Sequence, residues 1–281
     1  MSEEIGLSVI IPCKNQAAGV KRTLSEITEY SKKFDFDWEV IYADGGSTDK
    51  SIETAESFEG KIKNLTIVHE SALGMGTGKG AAVKAGMLKA KGKIRMFMDA
   101  DSSTPIKEID KLLPYFKEGY DVVMGSRYTN KPLPAVHKPF KAFLQALKEV
   151  FEVLIYGYSK SNNMVKKQGR FRQLVSRGAN LSFVVLLGQS YADTRCGFKA
   201  YTDKAAETIF SLQTLPGWGF DTEILMIAEK YKYKIIEVPI TWIDDAEISD
   251  MTLSGIFGSY IEIFKIKWNK LSGKYSGAKA E

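Results

Sequence analysis

Short apolar runs rich in Val and Ile recur along the first half of the chain, and helical spacing of apolar residues separates them. The runs are LSVIIP (7–12), WEVIYA (38–43), LTIVH (65–69), IRMFM (94–98) and YDVVMG (120–125). Runs of this length without polar alternation are typical of strands that are covered on both faces. The helical spacing between them covers residues 20–31, 49–58, 80–90 and 106–115. The alternation predicts an α/β fold with a mainly parallel central sheet.

The second half of the chain carries longer amphipathic patterns. Apolar side chains recur at three- and four-residue intervals over residues 140–158, which predicts one amphipathic helix. Arg172, Ser176 and Asn180 repeat at i, i+4 and i+8, so they share one face of a further predicted helix. Neither pattern reaches the roughly 20 apolar residues needed to span a bilayer. Each is compatible with a core helix or with a helix that lies on a membrane surface.

Three more elements are predicted toward the C-terminus. PGWGFDTEIL predicts a helix that starts near Asp221, and IIEVPITWI predicts a strand. Residues 256–271 form another amphipathic series with lysines on its flank. The tail at 272–281 is expected to be disordered.

Charge is distributed unevenly along the 281-residue chain. The formal net charge is +5, but residues 131–177 carry +8 and residues 265–281 carry +4, so the remainder carries −7. Basic segments on an acidic body suit an anionic surface such as lipid headgroups or phosphates, or else form solvated helix faces. We expect no nucleic-acid binding, because no recognisable RNA or DNA module combines the basic residues with aromatic ones.

The composition excludes several kinds of site. Cys13 and Cys196 are far apart in sequence, so we expect small core residues and neither a disulfide nor a zinc site. His69 and His137 are isolated, which leaves a histidine-based triad or metal site without support. The opening MSEEIGLSVIIP lacks the basic and long apolar regions of a signal peptide, so we expect the protein to stay in the cytoplasm.

Polar sequences follow three of the predicted strands, at the edge where parallel sheets bind their ligands. In DADSSTP, Asp99 and Asp101 are two residues apart in an extended segment, so both face the same side. Two adjacent carboxylates repel each other unless a cation binds them, and Mg²⁺ prefers such oxygens together with substrate phosphates. The pair predicts a divalent metal site, although acids at a strand end also cap a following helix.

The glycine-rich stretch GMGTGKGAA (74–82) has only a superficial likeness to a phosphate-binding loop. Lys79 is followed by Gly80, so the motif G-x-x-x-x-G-K-[ST] is not met. The stretch does not follow the first strand, where a dinucleotide fingerprint belongs. A nucleoside triphosphatase and a hydride-transferring enzyme are therefore disfavoured. Two interpretations of the stretch stay open: Lys79 at a helix start meets a diphosphate, or the glycines form a flexible connection.

Taken together, eight segments resemble the family 2 glycosyltransferases, and within them the polyprenyl-phosphate sugar synthases. In the family's order they are SVIIPCKN, YADGGSTDKS, GKGAAVKAGM, FMDADSSTP, VVMGSRY, RQLVSRGANL, DTRCGFKAY and GWGFDTEIL. The last two are most similar to dolichyl-phosphate glucosyltransferases, with the mannosyl enzymes close behind. The resemblance implies a Rossmann-like GT-A fold, dependence on Mg²⁺ or Mn²⁺, and inverting transfer of a hexose to a polyprenyl phosphate. Glucose from UDP-glucose is the first expectation.

The resemblance also implies roles for individual residues. It gives Asp44 a place on the nucleotide base, and it makes Asp99 and Asp101 the metal ligands and catalytic residues on the donor diphosphate. Asp193 is a third catalytic candidate that orients groups at the reaction centre, or else it bonds the turn before GFK. The expected donor-binding residues are Pro12, Asn15, Asp44, Lys79, Asp99, Asp101 and Lys199. The expected acceptor-binding residues are Arg127, Arg172, Ser176, Asn180, Trp218 and Asp221.

Three positions depart from the family pattern, and two assignments have structural alternatives. Gly45 stands beside Asp44 where many members have Asp, which removes one base or ribose contact. Ser103 stands where mannosyl enzymes can supply Gln, which weakens the mannosyl assignment, and Arg195 replaces an uncharged residue. The alternatives are core packing for Trp218 and a helix cap for Asp221.

The resemblance implies a particular domain organisation and set of partners. We expect a GT-A catalytic domain over 1–243, in which 131–190 form an amphipathic insertion facing the acceptor and the membrane. A C-terminal amphipathic helix and basic tail follow at 244–281. The expected partners are a nucleotide-diphosphate sugar, a dolichyl or undecaprenyl phosphate, and the cytoplasmic face of a membrane, with peripheral attachment. The alternatives are mannose from GDP-mannose, a soluble or polysaccharide acceptor, and nucleotide-sugar binding without catalysis.

Overall fold

A computed structural model describes residues 5–134, 139–156, 191–243 and 253–277, together with residues 174, 178, 181, 187 and 188. Its strands are β1 (Leu7–Cys13), β2 (Trp38–Asp44), β3 (Leu65–His69), β4 (Ile94–Met98), β5 (Val122–Ser126), β6 (Leu133–Pro134), β7 (Phe198–Thr202) and β8 (Ile235–Pro239). Its α-helices are α1 (Ala17–Tyr30), α2 (Ser51–Glu56), α3 (Lys79–Lys89), α4 (Leu113–Lys117), α5 (Pro139–Tyr156), α6 (Asp203–Leu212), α7 (Phe220–Lys230) and α8 (Leu253–Leu271).

The strands form one sheet in the order β3-β2-β1-β4-β7-β5-β8-β6. The neighbours β3-β2-β1-β4 run parallel, and so do β5 and β8. The central strand β7 is antiparallel to both of its neighbours, and the short edge strand β6 is antiparallel to β8. The predicted mainly parallel sheet is confirmed. The hydrophobic pattern did not indicate β7, because Lys199 interrupts its apolar run.

Helices cover both faces of the sheet, which explains the nearly continuous apolar strands. Alternate residues of β1 enter two different cores, as the two-residue period of a strand requires. Val9 and Ile11 pack in the cluster that contains the buried face of α1. Ile10 packs in the cluster that contains buried residues of α3, α6 and α7. The carboxyl ends of β1, β2 and β4 therefore emerge together at one edge between two layers of helices.

Two local predictions are wrong. Residues 106–115 do not form one helix, because a 3₁₀ helix covers Ile106–Lys111 and α4 begins at Leu113. Pro114 lies in the first turn of α4, where its missing N–H is tolerated, so the chain starts a new helix there. The first part of the tail is also ordered, since Tyr275 is only 1% exposed and its hydroxyl donates to Glu223 Oε1 at 2.8 Å.

The other helix predictions agree with the described residues. α5 corresponds to the amphipathic pattern at 140–158, α7 to the helix predicted near Asp221, and α8 to the pattern at 256–271. Cys13 and Cys196 are buried free thiols, as expected of core residues. Within the described part of the chain, no helix combines the length and apolarity needed to cross a bilayer. The helix predicted around Arg172, Ser176 and Asn180 lies outside the described residues.

Candidate active site

Asp99 and Asp101 follow β4 at the carboxyl edge of the sheet, where α1 fixes the backbone that carries them. Arg22 donates to the carbonyl oxygen of Asp101, and Thr23 Oγ1 donates to that of Ala100 at 2.9 Å. The Asp101 carboxylate accepts from the backbone N–H of Ser103 at 2.9 Å and from the Ser103 hydroxyl. Burial, together with the charge of Asp99, raises the pKa of Asp101. The fold therefore holds two carboxylates together against their mutual repulsion.

Lys79 supplies a cation at this pair. It is the first residue of α3, and its Nζ lies 2.5 Å from Asp99 Oδ1. Burial opposes the charged form of Lys79, but the carboxylates of Asp99 and Asp221 outweigh burial and raise its pKa. The start of α3 is also held against a neighbouring loop, because Ala81 N–H donates to Pro216 O at 3.1 Å. The glycine-rich stretch thus delivers an ammonium group to the acidic pair.

The glycine of the CGFK segment is explained by the position of Asp99. Met98 of β4 pairs with Phe198 of β7, so Gly197 lies beside Asp99. A Cβ atom on Gly197 would lie 2.2 Å from Asp99 Oδ2, closer than atoms can approach. The absence of a side chain at residue 197 is what lets the chain pass beside Asp99 as it enters β7.

Lys199 and Asp221 form a buried ion pair below the site. Lys199 is completely inaccessible to solvent, and its Nζ donates to an Asp221 carboxylate oxygen and to Cys196 O at 2.7 Å. The strand β7 positions the lysine opposite Phe97 of β4, and the first turn of α7 positions the acid. The Asp221 carboxylate therefore has a role beyond a helix cap, because it pairs with Lys199. The contact of Lys199 with the donor and the contact of Asp221 with the acceptor stay predictions.

Arg127 and Asp193 form a second, bidentate ion pair on the β5 side. Arg127 Nε and Nη2 lie 2.8 Å and 2.7 Å from the two Asp193 oxygens, and the backbone N–H of Arg127 donates to Asp193 Oδ2 at 2.9 Å. The guanidinium also lies over the rings of Tyr128 and Trp242. This geometry fits the interpretation in which Asp193 holds the turn before GFK. An acceptor contact by Arg127 stays a prediction.

Glu237 of β8 supports the same turn from below. Its two carboxylate oxygens each accept a hydrogen bond at 2.9 Å, from the backbone N–H groups of Ala192 and Asp193. Burial raises the pKa of Glu237 to about 7, although these hydrogen bonds act in the opposite direction. The segment that leads to Cys196 and Gly197 is thus fixed by Glu237 of β8 and by Arg127, the residue after β5.

The expected donor residues at β1 and β2 hold one loop. Pro12 pairs with Ala43 in the β1–β2 ladder. The Asp44 carboxylate accepts from the N–H groups of Gly46 and Ser47, at 3.0 Å and 3.1 Å. Asn15 Oδ1 accepts from the Thr48 N–H at 2.7 Å. Their carbonyl and carboxylate oxygens therefore shape the GGST loop, and their contacts to a nucleotide stay predictions.

Glu70, a residue that the sequence analysis did not predict to be functional, lies beside Gly45. Glu70 follows β3, is 3% exposed, and accepts from the Gly78 N–H at 2.8 Å. Ideal Cβ positions at Gly45 and Gly46 lie 3.6 Å and 3.5 Å from the two Glu70 oxygens. Glu70 therefore places a carboxylate beside Gly45, and its hydrogen bond to Gly78 holds the residue before α3. Its place directly after a strand is the signal that could have identified it.

Trp218 is on the surface and not in the core. Its side chain is 57% exposed, and Lys79 Nζ lies 5.4 Å from the centre of its ring. The structure thus brings Trp218 to the acidic pair through Lys79.

His69 lies beside Asp44, with Nδ1 3.4 Å from Asp44 Oδ2. His137, Arg172, Ser176 and Asn180 lie outside the described residues.

The donor set at Asp99 and Asp101 fits a hard divalent cation. Both side chains offer oxygens, and the raised pKa of Asp101 reflects burial and repulsion that a bound cation would relieve. Among the residues described, no group of three or more His, Cys, Asp or Glu is arranged to hold a metal ion. Mg²⁺ is commonly held by one or two carboxylates together with substrate phosphates, which suits two protein ligands at this edge.

The fold belongs to the same class as the folds of solved glycosyltransferases. The glucosyl-3-phosphoglycerate synthase of Mycobacterium tuberculosis, crystallised with phosphoglyceric acid, superposes with a TM-score of 0.63. The match has 19% identity and covers 93% of this chain and 80% of that one. The same enzyme with Mn²⁺, UDP and glucosyl-3-phosphoglycerate gives a TM-score of 0.58 at 17% identity, over 98% and 82% of the two chains. The architecture is that of the GT-A class.

Residues 8–179 match the model of glycosyl transferase family 2, and the chain therefore belongs to that family. A dolichyl-phosphate beta-glucosyltransferase of Trichomonas vaginalis is 28% identical over 94% of this chain and 73% of its own length. The Saccharomyces cerevisiae enzyme of the same name is 28% identical over 85% and 67%. The human one is 26% identical over 84% and 67%. The predicted family and fold are confirmed, and the protein is a glycosyltransferase.

Proposed function

We propose that this protein transfers glucose from UDP-glucose to a polyprenyl phosphate of the dolichyl type, with inversion at the anomeric carbon. The observation that carries the proposal is the acidic pair Asp99 and Asp101, with Lys79 on Asp99, at the carboxyl edge of the sheet. Relatives named for dolichyl phosphate and glucose align over most of the chain, which supports the acceptor and the sugar.

The proposed reaction needs no strong protein base. An acceptor phosphate monoester has a second pKa near 6, so one of its oxygens is a competent nucleophile at neutral pH. This oxygen attacks the anomeric carbon of the sugar, the bond from that carbon to the donor diphosphate breaks, and the nucleoside diphosphate leaves with the electron pair. Charge develops on the leaving diphosphate, so cationic groups that face it lower the barrier. The hydrogen bond from the Lys79 ammonium to Asp99 supports Lys79 in this role.

Asp99 and Asp101 would hold Mg²⁺ or Mn²⁺ together with the donor diphosphate. When bound, the metal neutralises charge on the diphosphate and stabilises the leaving group. The carboxylates then fix the donor relative to the sheet, and the Trp218 ring lies beside the Lys79 ammonium. Arg172, Ser176 and Asn180 are proposed to receive the acceptor phosphate, as the family resemblance implies.

A donor and acceptor assay tests the proposal. We expect labelled lipid product from UDP-glucose with dolichyl phosphate, and at least about tenfold less from GDP-mannose or UDP-N-acetylglucosamine, because a site built for one hexose and base discriminates by more than 1.4 kcal/mol. Thin-layer chromatography of the lipid fraction measures the product. Dolichol without its phosphate is the matched control and should accept no sugar. Faster transfer from GDP-mannose, or transfer that does not depend on the lipid phosphate, would contradict the assignment.

We further propose that α5 and α8 contact the membrane that holds the acceptor, on the cytoplasmic side. α8 presents Phe264 and Trp268, 64% and 71% exposed, with Leu271 one turn beyond. α5 exposes a similar apolar series, namely Phe140, Leu144, Phe151, Leu154, Ile155 and Tyr156. Lys265, Lys267 and Lys270 are exposed beside the α8 face. Apolar side chains flanked by lysines are typical of helices that lie in the headgroup region of anionic lipid.

Vesicle binding tests this contact. We expect the protein to sediment with anionic vesicles, and less at high salt because ions screen the lysines. The double variant Phe264→Ser/Trp268→Ser should bind at least about 100-fold more weakly, since two large apolar side chains contribute roughly 1.5–3 kcal/mol each when fully buried. Phe36→Ser is the matched control, because Phe36 is an exposed aromatic at the amino edge of β2. Equal sedimentation of all three proteins would contradict the membrane contact.

A further inference from the structure

Glu262 of α8 reaches from the C-terminal helix to the loop before α7. Its Oε2 accepts a hydrogen bond from the Gly219 N–H at 2.6 Å. Burial raises the pKa of Glu262, while the Gly219 hydrogen bond and the charge of Lys265 act in the opposite direction. A half-buried acid that bonds the backbone of a distant loop fixes that loop relative to its own helix.

Two glycines make this contact possible. A Cβ atom on Gly217 would lie 2.4 Å from Glu262 Oε1, and one on Gly219 would lie 2.7 Å from Glu262 Cβ. A side chain at residue 219 would push α8 away from the loop, and one at residue 217 would displace the Glu262 carboxylate. The sequence Gly-Trp-Gly therefore allows the helix to seat on the backbone on both sides of Trp218.

Trp218 connects this contact to the acidic pair. Its ring lies 5.4 Å from Lys79 Nζ, which in turn lies 2.5 Å from Asp99 Oδ1. A displacement of the Gly217–Gly219 backbone would carry the indole with it and change the surroundings of the ammonium. The position of α8 is thus linked, through one hydrogen bond and one cation–ring contact, to the candidate donor site.

The other end of α8 is anchored near the same loop. Asn269 Nδ2 donates to Thr214 Oγ1 at 3.0 Å. The hydroxyl of Tyr275 donates to Glu223 Oε1 at 2.8 Å, and Glu223 also accepts from the Thr214 N–H at 3.0 Å. Residues 214–219 are therefore held by α8 at both ends, which makes the helix part of the support of the crevice.

We propose that Glu262 is a positioning residue for sugar transfer: by seating α8 on the Gly-Trp-Gly backbone, it holds Trp218 against Lys79 and keeps the donor diphosphate site formed. The inference rests on the proposed function. It assigns to the C-terminal helix a role in donor binding in addition to lipid contact. A lipid surface that holds the outer face of α8 then also fixes the wall of the crevice.

Three variants distinguish the effect of the Glu262 hydrogen bond from the effects of its charge and its volume. Glu262→Leu keeps a similar volume and removes the acceptor, whereas Glu262→Gln keeps a carbonyl acceptor and removes the charge. Glu207→Gln removes an exposed carboxylate from α6 and is the matched control. We expect Glu262→Leu to raise the KM for UDP-glucose about tenfold or more with an unchanged KM for dolichyl phosphate. Glu262→Gln and Glu207→Gln should stay within about threefold of the parent protein.

A spectroscopic measurement tests the positioning without relying on catalysis. In protein labelled with 5-fluorotryptophan, the Trp218 signal in the ¹⁹F spectrum is assigned with Trp218→Phe. Glu262→Leu should shift or broaden this signal, and Glu262→Gln and Glu207→Gln should leave it in place. Gly219→Ala provides an independent displacement that should reproduce the change even if Glu262→Leu does not fold, because residue 219 has φ −72° and accepts alanine without backbone strain.

The outcomes distinguish the two proposals. An unmoved Trp218 signal in Glu262→Leu, or in Gly219→Ala if the former does not fold, would overturn the positioning role. A normal KM for UDP-glucose in Glu262→Leu would also overturn it. A displaced Trp218 signal in a protein that transfers no sugar from any donor to dolichyl phosphate would leave the mechanical link standing and reject the proposed function.

Discussion

Replacement of Asp99 or Asp101 by Asn is expected to reduce sugar transfer by about 100- to 1,000-fold, the loss typical of removing one group that stabilises developing negative charge. Asn keeps the shape of each side chain but removes the charge that a divalent cation requires. The fold should persist, because an Asn at residue 101 can still accept from the Ser103 N–H. Initial rates at saturating UDP-glucose, with Mg²⁺ or Mn²⁺ added back after EDTA treatment, measure the effect.

Asp35→Asn is the control for these variants, because Asp35 is an exposed acid ahead of β2. It should retain the activity of the parent protein. Circular dichroism and a cooperative thermal transition establish that each variant is folded. Full activity of the Asp99 and Asp101 variants in the presence of EDTA would show that the acidic pair does not bind a catalytic metal.

Replacement of Asp221 by Leu is expected to lower the free energy of unfolding by about 3–5 kcal/mol, because it leaves the Lys199 ammonium buried without its partner. Lys199 has no accessible surface, and its remaining acceptor is the carbonyl oxygen of Cys196. The double variant Lys199→Met/Asp221→Leu removes both charges and should recover most of the loss, since apolar pairs of similar volume replace buried ion pairs well. Urea unfolding followed by tryptophan fluorescence gives the free energies.

The double variant also distinguishes a structural role of the ion pair from a role of Lys199 in donor binding. If Lys199 contacts the donor diphosphate, as the family resemblance implies, the double variant will be stable and still bind UDP-glucose weakly. If the pair is only structural, stability and affinity will recover together. A double variant no more stable than Asp221→Leu alone would contradict the account of the buried pair.

The sequence predicted the parallel part of the fold because its strands are covered on both faces and their apolar runs are nearly continuous. The edge position of Asp99 and Asp101 followed from the same pattern, since the carboxyl ends of parallel strands meet. Sequence reasoning did not reveal β7, because a strand that contains Lys199 does not look buried. Only the partner Asp221, distant in sequence, makes the burial of that lysine tolerable.

The contacts among site residues were less predictable than their identities. Arg127 and Asp193 were selected with the help of the family resemblance, and Lys79 by its place at a helix start in the glycine-rich stretch. Their pairing depends on distances that no local pattern contains. Glu262 was missed for the same reason, because it acts on the backbone of a loop far away in sequence. Glu70 was missed although it directly follows a strand and bonds Gly78, eight residues away. The tail was expected to be disordered because it is polar, yet Tyr275 finds a buried acceptor in Glu223.

Because β7 lies between β4 and β5, its synthesis determines when the sheet can become continuous. Strands β1 to β4 can assemble early, but the free edge of β4 stays bare until Phe198–Thr202 has emerged from the ribosome. About 100 residues separate Met98 from Phe198, which at roughly 5–20 residues per second corresponds to on the order of 5–20 s of translation. The same strand brings Gly197 beside Asp99, and Lys199 meets Asp221 once α7 has followed. A nascent chain therefore completes the surroundings of Asp99 only after its sheet has become continuous.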